Sequence, residues 1–108
     1  MDFPFLNAII NAARRHLIDV IIHGSAIERD DFDEKFSDVD LLLIISDKSN
    51  LREVLRALSY LPLDKRIDIS IYWKSFVKDE FLKGEPFFGA TILYGKSVLN
   101  SKFVKNLR

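Results

Sequence analysis

The residues able to do chemistry in this sequence are few, and they fall in a fixed order. Gly24-Ser25 comes first, Asp38-Val39-Asp40 follows after twelve residues, and Asp68 comes last. Gly24 permits a tight turn and lets another group close on its backbone. Ser25 offers a hydroxyl and an N–H to a phosphate, and a following helix would add its positive end. Asp38 and Asp40 stand at i and i+2, so on a strand both carboxylates leave the same face. Side by side they repel, and each raises the cost of ionising the other. A divalent cation removes that cost. Hard oxygen ligands suit Mg²⁺, which usually takes one or two carboxylates together with substrate phosphates. Asp68 interrupts a ladder of Ile67, Ile69 and Ile71. If its strand neighbours that of Asp40, a three-carboxylate cluster results. Such a cluster suits two metals, one holding a triphosphate and one activating an attacking hydroxyl.

The pattern around these residues predicts the elements that carry them. Leu6, Ile9, Ile10, Ala13 and Leu17 form one helix face beginning after Pro4, with Arg14 and Arg15 at its negative end. Asp19 to His23 predicts a buried strand closed by the Gly24-Ser25 turn, and residues 26–37 a polar loop or a helical turn plus a loop. Val39 to Ser46 is nearly continuous in apolar residues, as expected for a strand covered on both faces. Asn50 with Glu53 suggests a capping box for a helix over Leu51, Val54, Leu55 and Leu58, stopped by Pro62. Arg66 to Tyr72 alternates as a strand with one polar face. Trp73, Phe76, Val77 and Phe81 predict a helix ended by Gly84. Thr91 to Tyr94 allows a short edge strand, and Leu99, Phe103 and Leu107 a C-terminal helix. The order predicts an α/β (α+β) fold in which helices flank a mixed central sheet.

Length and composition bound the rest. The chain has 108 residues, 48% hydrophobic and 30% charged, which predicts one globular domain over 1–108. Cysteine is absent, so disulfides, thiolate metal sites and cysteine nucleophiles are excluded. The longest apolar run, Leu41 to Ile45, is far short of a membrane span, and Met1-Asp2-Phe3-Pro4 does not start like a secretory signal. Sixteen basic residues balance sixteen acidic ones, so no general pull towards nucleic acid is expected. The charges are segregated, however. Glu28 to Asp40 holds seven acids against Arg29 and Lys35, whereas Thr91 to Arg108 holds four cations and no acid.

His23-Gly24-Ser25, Ser37-Asp38-Val39-Asp40-Leu41-Leu42-Leu43 and Arg66-Ile67-Asp68-Ile69 together resemble the signature of the minimal nucleotidyltransferases, members of the DNA polymerase beta-like nucleotidyltransferase superfamily. The resemblance spans roughly residues 5 to 99. Ala90-Thr91-Ile92-Leu93-Tyr94-Gly95 looks like that family's last strand. The resemblance implies a Mg²⁺–nucleoside triphosphate site, with ATP or another triphosphate as substrate, and transfer of a nucleoside monophosphate with release of pyrophosphate. Gly24 and Ser25 would hold the triphosphate, Asp38, Asp40 and Asp68 would bind metal, and Asp68 would also serve as base. Members of this size often accompany a small HEPN-domain protein in a toxin–antitoxin pair, the transferase adding AMP to its partner.

The chain is short for a transferase that positions its own acceptor, so the acceptor surface is expected from another chain: a HEPN-domain protein, or further copies of this one. Phe3, Phe5, Phe32, Phe36, Phe87 and Phe88 supply candidate anchors. A cytoplasmic protein without nucleic-acid or membrane partners is expected. The segment after Ser25, Ala26-Ile27-Glu28-Arg29, departs from the small, basic, glycine-ended stretch common in the family. That departure supports an alternative, a catalytically degenerate nucleotide-binding or protein-binding module. His16 and His23 are too few and wrongly spaced for a histidine-rich zinc site, and His23 is expected to pack or hydrogen-bond at its strand end. Asp19, His23 and Ser25 are too close on one strand to converge as a hydrolase triad.

Overall fold

The computed structural model describes residues 5–24, 39–63 and 66–108. Strand β1 (Leu17–His23) pairs antiparallel with β2 (Val39–Ile45), which pairs parallel with β3 (Ile67–Trp73). A two-residue strand, β4 (Lys96–Ser97), joins the free edge of β1 in antiparallel fashion. The sheet order is β3-β2-β1-β4. The unbroken apolar run of β2 therefore sits in the interior of the sheet, the position that burial on both faces requires.

Period-two alternation sends the strand residues to two cores. Val20, Ile22, Leu41, Leu43 and Ile45 point towards α1 (Leu6–Ala13) and α2 (Leu51–Ser59), where Leu6, Ile9, Ala13, Val54 and Leu58 complete the packing. Ile21, Leu42 and Ile44 point the other way. They meet Val77 of α3 (Lys74–Leu82), Phe88 and Ile92 of α4 (Pro86–Tyr94) and Val104 of α5 (Lys102–Leu107). The mixed sheet flanked by helices is the fold class the sequence predicts. Gly84, with φ +82°, ends α3 in the left-handed region as expected.

Three local expectations are corrected. Leu17 opens β1 instead of extending the α1 face, because the chain turns at Arg14–His16. Asn50 and Glu53 form no capping box. The Asn50 side chain makes no cap bond and instead accepts from the Ser46 hydroxyl at 2.9 Å. Glu53 turns outward, accepting from His16 Nε2 at 2.7 Å with Arg15 at 3.7 Å. Thr91 to Tyr94, and with them the proposed last strand at Ala90–Gly95, are helical, and the edge strand starts just beyond Gly95. The reason is visible at the start of α4. Pro86 occupies its first turn, where the missing N–H costs nothing, and Glu85 accepts from Phe88 N–H at 2.9 Å.

The C-terminal segment is fastened by Asp19, which is fully buried. Its carboxylate accepts from the Ser97 and Ser101 hydroxyls (2.5 and 2.6 Å) and from the backbone N–H groups of Leu99 (3.0 Å) and Ser101 (3.2 Å). Ser101 in turn caps α5 by accepting from Val104 N–H. A buried carboxylate is tolerated only when saturated with donors, and here four come from one short segment. Asp19→Ala strands those donors and is expected to lower stability by about 3 kcal/mol or more in urea unfolding. A variant that unfolds at the wild-type midpoint would contradict this role.

Candidate functional site

Three sequence-predicted site residues lie within the described segments: Gly24, Asp40 and Asp68. Ser25 and Asp38 lie outside them. The register places the others in one row. His23, the last residue of β1, is opposite Asp40 at the start of β2, and Asp40 is level with Asp68 at the start of β3. Residues level in a ladder share a face, so His23, Asp40 and Asp68 all leave the sheet on the side of α3, α4 and α5, the face of Leu42 and Ile44.

The row forms because this is the end of the sheet. Leu41 to Ile45 are completely buried, whereas Asp40 is half-buried and Asp68 is exposed. Two like charges directly across a strand pair are destabilising. Gly24 is fitted to Asp40 in two ways. Its φ of +81° lies in the left-handed region, and a Cβ there would strike Asp40 Oδ2. The turn and the first carboxylate are therefore built against each other.

His23 was expected to pack at its strand end, and it does, edge-on against Phe87 of α4 with ring centroids 5.4 Å apart. Its Nε2 is buried and has no hydrogen-bond partner among the described residues. Burial holds the His23 pKa below its ordinary 6.5, opposed by the negative charges of Asp40 and Asp68, which pull it upward. The imidazole is thus neutral at pH 7, and the two carboxylates gain no charge neutralisation from it.

Beside His23 and Gly24 opens a cleft of about 450 Å³, walled on its far side by Phe87, Ala90, Thr91, Tyr94 and Gly95. None of these wall residues except Phe87 was singled out from the sequence as functional. The missed signal was Pro86, which starts the helix that carries them. Of the expected aromatic anchors, Phe88 is core, Phe5 packs against the first core and Phe87 is 38% exposed, while Phe3, Phe32 and Phe36 lie outside the described residues. Tyr94, 78% exposed, and Leu93 extend the apolar surface of α4.

The described part of the site can do two things. It can concentrate negative charge at one point of the sheet end, which favours a hard cation. It can also bring a ligand's backbone-seeking group close to the Gly24 turn. Among the described residues, no three histidine or acidic side chains form a complete metal-ligand group. Comparison of the chain with protein-family models, with curated proteins and with solved structures finds no match.

The charge row fixes the sign of a pH effect. The folded-state pKa of His23 is depressed, so its contribution to stability is present above the unfolded value of 6.5. It is lost as the pH falls from there towards the folded value. Asp40→Asn removes a charge that pulls the pKa up, so His23 should titrate lower still in that variant. A residue-resolved NMR titration of the two histidines checks both points. A His23 midpoint at or above 6.5, or one unmoved by Asp40→Asn, would contradict the geometry.

Proposed function

We propose that this chain is a Mg²⁺-dependent nucleotidyltransferase of the minimal class, transferring AMP from ATP to a hydroxyl on a partner protein. The observation that carries the reading is the level pairing of Asp40 with Asp68 on adjacent parallel strands, beside a turn whose positive φ favours glycine. This is the arrangement that the resemblance to the minimal nucleotidyltransferases calls for. The donor set, oxygen-only, fits a hard divalent cation.

In this reading Gly24 and Ser25 hold the triphosphate, and Asp38, Asp40 and Asp68 hold the metal. Bound Mg²⁺ would offset the charge of carboxylates and triphosphate and lower the pKa of the attacking hydroxyl. Asp68 takes the proton from the acceptor hydroxyl. The hydroxyl oxygen forms a bond to the α-phosphorus, and the bond from that phosphorus to pyrophosphate breaks. The chain contributes positioning and charge, as phosphoryl-type chemistry requires.

The acceptor comes from another chain, with a HEPN-domain protein as the partner the resemblance suggests. The exposed aromatic side chains of α4, Phe87 and Tyr94, support a docked partner, because they border the cleft next to Gly24. No helix among the described residues is long and apolar enough to cross a membrane. A second reading, a binding module acting by contact alone, draws support from Ala26-Ile27-Glu28-Arg29, where an acid replaces the expected small and basic residues.

Incubation with α-labelled ATP and Mg²⁺, with and without a co-purified partner, separates the two. The transferase reading expects label on the partner, pyrophosphate release, and loss of at least a hundredfold in rate for Asp40→Asn or Asp68→Asn with the fold retained. A partner that binds but never acquires label would favour the contact module. Near-normal rates in either variant would show the assigned roles to be wrong.

A further inference from the structure

The outer face of α2 carries a second charged site, of opposite sign and on the opposite side of the sheet from Asp40 and Asp68. The inner face of α2 is spent on the first core through Val54 and Leu58. Arg52, Leu55, Arg56 and Tyr60 remain outside, and Leu55 is 51% exposed and Tyr60 80% exposed. Arg52, Arg56 and Tyr60 follow at i, i+4 and i+8, one stripe with steps of roughly 6 Å. Arg52 and Arg56 line a depression of about 420 Å³ with Ser49 and Glu53.

The depression is short of anions. Its single acid, Glu53, is already held by His16 at 2.7 Å and by Arg15 at 3.7 Å. The side chains of Arg52 and Arg56 have no hydrogen-bond or ion-pair partner among the described residues. Like charges at i and i+4 destabilise a helix, so this pair weakens α2 unless an anion bridges it. Guanidinium groups take phosphate oxygens in bidentate fashion. The exposed tyrosine next in the stripe adds what an acidic peptide would not require, a flat ring on which a base can stack.

We propose that the outer face of α2 binds single-stranded nucleic acid, with Arg52 and Arg56 on phosphates and Tyr60 stacked on a base. The zero net charge of the chain conceals this site, because the compensating acids are concentrated elsewhere, seven of the sixteen between Glu28 and Asp40. The site does not depend on the nucleotidyltransferase reading.

Fluorescence anisotropy with a short labelled oligouridine tests it on the full chain. The expected slope of log affinity against log salt is about −1.4, from roughly −0.7 per phosphate for two contacts. Arg52→Glu with Arg56→Glu should weaken binding at least tenfold and flatten that slope. Tyr60→Ala should weaken it about tenfold with the slope retained. All three residues are exposed, and circular dichroism of the variants checks that the fold persists. Wild-type binding by the charge-reversed variant would overturn the proposal. So would polyglutamate competing as well as the oligouridine with Tyr60→Ala without effect, the result expected of a surface for acidic proteins.

Discussion

From Leu41 to Ile45, strand β2 shows no surface to solvent. Its backbone must therefore be paired along both edges and its side chains covered on both faces. Those two requirements generate the architecture. β1 and β3 supply the edges, α1 and α2 cover one face, and α3, α4 and α5 cover the other. They also fix where polar chemistry can be. No charged group can enter the strand until it leaves the core, and the first residue at which it does so on the α4 side is Asp40. The site lies at the end of the sheet because the middle cannot hold it.

The same constraint explains the dependence of the site on its neighbours. The parallel register with β3 sets Asp68 level with Asp40, and the antiparallel register with β1 sets His23 and the Gly24 turn beside it. A slip of one residue in either ladder would turn Asp68 or His23 to the other face and bury it among α1 and α2. The many apolar contacts that hold the register are thus also what holds two carboxylates together against their repulsion.

Much of this was legible in sequence order. The continuous run of β2 could only be a buried strand, the alternation of Ile67, Ile69 and Ile71 marked Asp68 as facing away from them, and Gly24 marked the turn. What escaped were interactions between distant residues. Asp19 looked like part of an apolar strand, yet it is saturated by donors about eighty residues further on. Glu53 stood at capping distance from Asn50 but is taken by His16, 37 positions earlier. At Thr91 to Tyr94, strand-forming residue types outweighed the Glu85-Pro86 start signal, so the helix forming the far wall of the cleft was read as a strand. Of the candidate residues, Gly24, Asp40 and Asp68 meet at one end of the sheet, and the wall at Phe87 to Gly95 is an addition that periodicity could not supply.

The central claim is that Asp40 and Asp68 act together as the seat of a divalent cation. Its most direct test is paramagnetic broadening by Mn²⁺ in amide NMR spectra, at metal concentrations well below that of the protein. The account predicts selective loss of the signals of His23, Gly24, Asp40, Leu41, Asp68 and Ile69, competition by Mg²⁺, and recovery of those signals in the Asp68→Asn variant. Broadening centred instead on Asp47 or Glu53, or an unchanged pattern in Asp68→Asn, would contradict it.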